Sequence, residues 1–275
     1  MGTDKRIRKK ENRRNRLDEL ATQAHRQRLR KRITKVAIVV AIIFGVTLII
    51  RVSGGDESTD TTATTVTATT ESANTTIAPV DGRAITGETP CPAADGSETR
   101  AASFEKAPPT CIDPAKTYTA VVLTNKGEFT IVLDAAQAPL AVNNFVTLAR
   151  YHYFDGTTCH RAIKDFVVQC GDPTATGGGS PGYSFADELP AAGSYKLGSL
   201  AMANSGPNTN GSQFFVITGA QGIALPPSYT LFGQVTNGLD STVPALNSAS
   251  NPDAAANGVP PTETLQIISV TITEI

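Results

Sequence analysis

Met202-Ala203-Asn204-Ser205-Gly206-Pro207-Asn208-Thr209-Asn210-Gly211-Ser212-Gln213-Phe214-Phe215 is the stretch that decides the fold. Its two ends are apolar. Leu200 to Ala203 and Gln213 to Thr218 read as short strands. Between them every residue is Gly, Pro, Asn, Ser or Thr, the side chains that form turns and hydrogen-bond their own backbone. The stretch therefore predicts strand, ordered polar loop, strand.

The same grammar continues on both sides. Tyr118 to Leu123 and Phe129 to Leu133 read as strands separated by Thr124-Asn125-Lys126-Gly127, a hairpin signal. Thr157 to Ile163 and Phe166 to Gln169 read as a second strand pair. Leu231 to Val235 and Leu265 to Ile272 complete the set. Only Ala138 to Tyr151 carries helical spacing, with Val142, Phe145 and Val146 on one face and Pro139 suited to a helix start. Many short strands with one clear helix predict an antiparallel barrel or sandwich of about 160 residues.

Upstream of residue 116 the composition changes. Of the 24 Lys and Arg in the 275-residue chain, 14 fall in residues 1–35, against four acids. The rest of the chain holds ten basic and 21 acidic groups, so the overall charge of −1 hides two opposite segments. Val36 to Ile50 carries no charge and, with its flanks, reads as a transmembrane helix over 36–52, Lys35 and Arg51 reaching to the interfaces. The excess of Lys and Arg before it places the N-terminus in the cytoplasm and the remainder outside. Residues 53–87 read as a disordered linker, with ten threonines between Thr59 and Thr76 and little apolar surface to offset ordering entropy. Residues 88–115 form a lead segment containing Cys91 and Cys111, expected to pack on the domain spanning 116–275. The expectation is a single-pass membrane protein, monomeric, with lipid as a partner through this one helix and with no nucleic-acid partner.

Ordinary hydrolytic and redox machinery is missing from the text. There is no Gly-x-Ser-x-Gly and no His-Glu-x-x-His, and the three histidines are His25, His152 and His160. Gly177-Gly178-Gly179 lacks the Lys-Ser/Thr of a phosphate loop and reads as a flexible turn. Nothing builds a metal site. Four cysteines allow three disulfide pairings; spacing favours Cys91 with Cys111 and Cys159 with Cys170, in keeping with an exported domain.

The run from His160 to Phe215 resembles the signature of the cyclophilins. Phe166-Val167-x-Gln169-x-Gly171-Asp172 precedes the 14-position stretch quoted above at the interval typical of that family, and Phe232-Gly233-x-Val235 follows it. The resemblance covers roughly residues 116–275, and the N-terminal parts resemble membrane-tethered bacterial members. It implies a mainly β fold, a closed eight-stranded antiparallel β-barrel capped by two α-helices. It implies peptidyl-prolyl cis-trans isomerase activity without a cofactor, acting on proline-containing polypeptides. Carried onto this sequence, Arg161 is the catalytic arginine. Phe166, Val167, Phe215 and Leu225 form the proline pocket, and Gln169 and Gln213 orient Arg161 and the substrate backbone. Ala203 and Asn204 hold the residue before proline, and Tyr229 forms an aromatic wall. The competing expectation is a non-catalytic chaperone module that holds proline segments in the same groove; a binder of that kind has no need of Arg161.

Several positions depart from the family pattern. Tyr229 stands where His is frequent, Ala224 where many members have Trp, and Val167 where Met is frequent. The missing Trp implies weak cyclosporin binding. Lys164-Asp165 replaces a Pro-Gly turn and predicts a looser hairpin tip. Cys159 and Cys170 replace Phe and Gly; with a two-residue turn they face each other within disulfide range. That register, however, puts Arg161 and Gln169 on opposite faces, so a bulge or strong twist has to intervene.

Overall fold

A computed structural model describes residues 81–275. The basic tail, the apolar run and all but the end of the linker lie outside the described residues. Among the described residues no helix is long and apolar enough to cross a membrane. The strands are β1 (Arg83–Ile85), β2 (Ala101–Phe104), β3 (Tyr118–Thr124), β4 (Gly127–Leu133), β5 (Arg161–Ile163), β6 (Val167–Cys170), β7 (Ser199–Met202), β8 (Phe214–Ile217), β9 (Leu231–Asn237) and β10 (Ile267–Glu274). The helices are α1 (Pro139–Arg150), α2 (Ala220–Ile223) and α3 (Thr242–Ser248), with a 3-10 turn at Ala254–Ala256.

β3 to β10 form one antiparallel sheet in the order β10-β3-β4-β9-β7-β8-β6-β5. The sheet curls but does not close, which corrects the expectation of a closed barrel. β5 is only three residues long, and its outer edge is taken by a loop: Ala162 donates to the Gly258 carbonyl at 2.9 Å and accepts from Asn251 at 3.2 Å. β5 itself does not pair with β10; the chain just before β5 meets the start of β10 at the isolated bridge Thr158–Gln266, flanked by the Gly156–Ile267, Thr157–Ile267 and Cys159–Leu265 main-chain hydrogen bonds. α1 packs against β10, and α3 against β4, β5 and β6. Helix α2 is a single turn.

Alternation along the strands splits the apolar residues between two clusters. On β8, Phe214 and Val216 point into the main core, while Phe215 and Ile217 point to the outer face. The main core holds an aromatic group in which Phe145 stacks on Phe154 at 5.0 Å and meets Phe214 edge-on at 5.4 Å. All four β8 residues are buried, because the outer face carries a second small cluster of Val167, Tyr195, Ala201, Phe215 and Ile217. Residues that line the outer groove are thus fixed by the same strands that build the core.

The lead segment wraps the α1 end of the sheet. β1, which falls in the stretch read from the sequence as disordered linker, pairs in parallel with β2, so the ordered lead begins before residue 88; a disulfide joins Cys91 to Cys111. Arg100 donates to the carbonyls of His152, Tyr153 and Asp155. Phe104 donates its N–H to the Pro181 carbonyl at 2.7 Å, and the Asn143 amide bonds both Cys111 and Pro109. The N-terminus of α1 is capped from afar: Glu188 accepts from the N–H groups of Leu140 and Ala141 at 2.9 and 3.0 Å. A carboxylate there satisfies free donors and faces the positive end of the helix dipole.

Candidate active site

The β5–β6 hairpin pairs Arg161 with Gln169 and Ile163 with Val167, so its turn is three residues, Lys164-Asp165-Phe166. The extra residue is Phe166, and Asp165 before it is held at φ 56°. This corrects the two-residue turn expected from the sequence and removes its conflict. Directly opposed residues share a face, so Arg161 and Gln169 stand side by side without a bulge. Cys159 lies before the strand, outside the ladder, and is joined to Cys170 across a Cα separation of 3.9 Å. The hairpin tip is also held more firmly than expected. Asp165 donates to Asn247 Oδ1 at 3.0 Å, and the carbonyls of Asp165 and Phe166 accept from Gln221 and Thr218. Gly222 makes this docking possible, since an added Cβ would stand 2.5 Å from the Phe166 carbonyl oxygen.

Arg161 is half-buried, and burial lowers its pKa, with Tyr229 opposing. A guanidinium offers five N–H donors. Three are used: Nε on the Asn257 carbonyl at 3.0 Å, Nη2 on Asn257 Oδ1 at 2.9 Å, and Nη1 on Gln169 Oε1 at 3.3 Å. Among the described residues no carboxylate pairs with it. The cation is held by neutral acceptors, its charge is not cancelled, and two N–H groups remain. Behind it a relay continues, Gln169 donating to Gln213 at 2.9 Å and Gln213 donating to the carbonyls of Gly177 and Gly179 at 3.1 and 2.9 Å.

The Gly-rich loop that ends this relay is anchored rather than flexible. Asp172 is fully buried, and its carboxylate accepts from Thr174 N–H and hydroxyl and from the N–H groups of Gly177 and Gly179. Burial raises its pKa, but those four bonds outweigh it and hold the carboxyl below its ordinary value.

Beside Arg161 lies a cleft of about 100 Å³, lined by Arg161, Phe166, Val167, Gln169, Ala203, Asn204, Phe215, Leu225 and Tyr229. Phe215 meets Tyr229 edge-on at 5.3 Å. Gln213 lies in an adjoining hollow of about 290 Å³ that shares Gln169, Ala203 and Asn204. Ala203 donates to the Gln213 carbonyl at 2.9 Å, and the Asn204 side chain donates to the Ser228 carbonyl at 3.0 Å. Among the described residues the main-chain N–H and C=O of Asn204 have no protein partner. The site can therefore seat a small apolar ring, present extended main-chain hydrogen bonds at its rim, and bring a cation to the ring's edge. No group of three or more His, Cys, Asp or Glu among the described residues is placed to hold a metal ion.

Sequence reasoning missed two residues here. Tyr195 is buried, and its hydroxyl donates to the Tyr229 carbonyl at 2.7 Å and accepts from the Tyr229 N–H at 3.1 Å, fixing that wall. The lone aromatic in Gly193-Ser194-Tyr195-Lys196-Leu197-Gly198 was the available signal. Asn257 lies 96 residues from Arg161, and only the Asn-Gly turn pair marked it.

Comparison with known proteins identifies the family. Residues 119–272 match the family described as cyclophilin type peptidyl-prolyl cis-trans isomerase/CLD. A probable peptidyl-prolyl cis-trans isomerase B of Mycobacterium tuberculosis is 40% identical over 178 residues, 59% of this chain and 55% of the relative. A putative peptidyl-prolyl cis-trans isomerase of Staphylococcus aureus is 53% identical over 100 residues, 35% of this chain and 51% of the relative. The chain thus spans about half the length of the curated relatives it matches. A crystal structure of a cyclophilin type peptidyl-prolyl cis-trans isomerase from Cryptosporidium parvum superimposes with a TM-score of 0.51 at 33% identity, over 57% of this chain and 98% of its own. A second crystal structure of that protein, in the presence of the dipeptide Ala-Pro, matches with the same score. The match spans more than half of the chain and reaches every strand of the large sheet, so the chain belongs to the cyclophilin type peptidyl-prolyl cis-trans isomerase family.

Proposed function

We propose that this chain accelerates rotation about X–Pro bonds in exported proteins, from a domain tethered outside the cell membrane by one N-terminal helix. The barrier to that rotation is roughly 18–20 kcal/mol because resonance gives the C–N bond double-bond character. Twisting removes the resonance, leaving a more basic nitrogen and a more ketone-like carbonyl. A catalyst has to bind this twisted state better than either planar isomer. The observation that carries the proposal is Arg161: an uncancelled cation with two unpaired N–H groups at the lip of an apolar cleft. In our reading the cleft, floored by Phe215, immobilises the proline ring, and the Asn204 main chain holds the residue before it. Arg161 then donates to the group that gains electron density as conjugation breaks. Donors fixed in advance stabilise such charge without reorganisation. No cofactor enters the scheme. The Ala-Pro dipeptide present with the Cryptosporidium parvum relative supports a proline-containing ligand.

Exchange NMR on an X–Pro peptide tests it without a coupled protease. Arg161→Ala is expected to slow the catalysed exchange about ten-fold or more, equivalent to about 1.4 kcal/mol of barrier. An unchanged rate would favour the chaperone reading, in which the groove only binds. Membrane placement is tested separately: external protease on intact cells is expected to remove the C-terminal domain, and full protection would refute that orientation.

A further inference from the structure

We propose that Asn257 is the positioning residue of Arg161, and that its being an amide rather than a carboxylate is what leaves the guanidinium charge available to the substrate; this rests on the isomerase reading above. One residue supplies two of the three acceptors that hold the guanidinium, its main-chain oxygen on Nε and its side-chain oxygen on Nη2. Both reach the same side of the fork, so together they fix the rotation of the whole planar group, which a single bond leaves free. The geometry depends on the backbone. Asn257 ends the 3-10 turn in the left-handed region at φ 51°, a conformation that Asn tolerates far better than most side chains. Gly258 follows at φ 80°, its carbonyl bonded to Ala162 beside Arg161. The turn is thus docked on the edge of β5, and Asn257 can face Arg161 only from there. The third acceptor, Gln169, is also a neutral amide. A carboxylate at 257 would accept the same two bonds and anchor the arginine at least as tightly, but it would neutralise it.

Two variants separate this from a merely structural contact. Asn257→Gly keeps the positive φ and the main-chain acceptor and removes the side chain with its Oδ1 acceptor. Asn257→Asp keeps all acceptors and adds a charge. The expectation for Asn257→Gly is a kcat lower by about three- to ten-fold, the loss of one hydrogen bond, with KM for the cis peptide within about two-fold. Asn257→Asp is expected to unfold at the same temperature as the wild type or higher, yet to lose about ten-fold or more in kcat. Wild-type kcat in Asn257→Asp would overturn the proposal, since a contact that only supports the fold accepts a carboxylate. A readout independent of turnover is the NMR signal of the Arg161 Nη groups. Separate signals in the wild type that merge in Asn257→Gly support the positioning role, and identical signals in the two proteins overturn it. A wild type with no activity on any X–Pro peptide would sink the isomerase reading, while the Nη signals would still decide whether Asn257 fixes the guanidinium.

Discussion

Asp172→Asn is a nearly isosteric change that removes one charge from the base of the groove. The carboxylate it replaces is fully buried and accepts four bonds, two on each oxygen. An amide keeps one oxygen and turns an NH2 group toward the remaining donors. Oriented with its oxygen on Thr174, it sets NH2 against the N–H groups of Gly177 and Gly179; flipped, it sets NH2 against the Thr174 N–H. Bonds to a charged acceptor contribute about 1.5–3 kcal/mol each. Losing one or two of them, partly relieved by loop movement, costs about 2–4 kcal/mol. For a folded unit of this size that corresponds to a melting temperature lower by about 4–16 °C. The assay is thermal unfolding of the full-length chain and the variant at pH 7, repeated toward pH 3. Because the folded Asp172 has its pKa depressed, its contribution is fully present above the unfolded carboxyl pKa near 3.9 and is lost as pH falls through the lower folded value. The gap between wild type and variant should therefore be widest near neutrality and narrow in acid. A variant melting within about 2 °C of wild type at pH 7 would refute the claim that this carboxylate organises the loop.

Two further outcomes follow from the contacts around the groove. Tyr195→Phe keeps the buried ring but removes the hydroxyl that bonds the Tyr229 N–H and carbonyl; we expect about 1–2 kcal/mol less stability in urea and a several-fold lower kcat/KM, whereas wild-type kcat/KM would mean that the Tyr229 wall needs no such support. Glu188→Gln removes the charge at the N-terminus of α1. The expected cost is about 0.5–1 kcal/mol in the same urea titration with isomer exchange unchanged, and an effect on exchange would place this cap closer to the groove than the structure does.

What the sequence makes legible here is whatever is local. The β3–β4 hairpin and α1 come from unbroken patterns of seven and twelve residues, long enough for periodicity to speak, and both stand within a residue or two of where the pattern puts them. The β5–β6 turn is harder. Its length is decided by Thr218, Gln221 and Asn247, which capture the groups of Asp165 and Phe166 from distant segments, and no local pattern distinguishes two turn residues from three. The same reason explains the open seam. Whether β5 pairs with β10 or with the loop around Gly258 depends on a contact nearly a hundred residues away. For the groove, the residues proposed from family resemblance fall around one cleft, with Gln213 one step along the relay. Of the residues that hold them in place, Tyr195 and Asn257 act through long-range bonds, and Asp172 acts mainly through the main-chain N–H groups of its own loop. Their side chains read in the sequence as ordinary turn and core residues.

The most direct test of the account is exchange NMR of a short Ala-Pro peptide with a substoichiometric amount of the purified full-length chain. Unaided, such bonds isomerise over tens to hundreds of seconds. The account predicts exchange between cis and trans signals within about a second, at a peptide-to-protein ratio that excludes simple binding. Exchange that stays at the unaided rate, with the domain folded and the peptide bound, would contradict it.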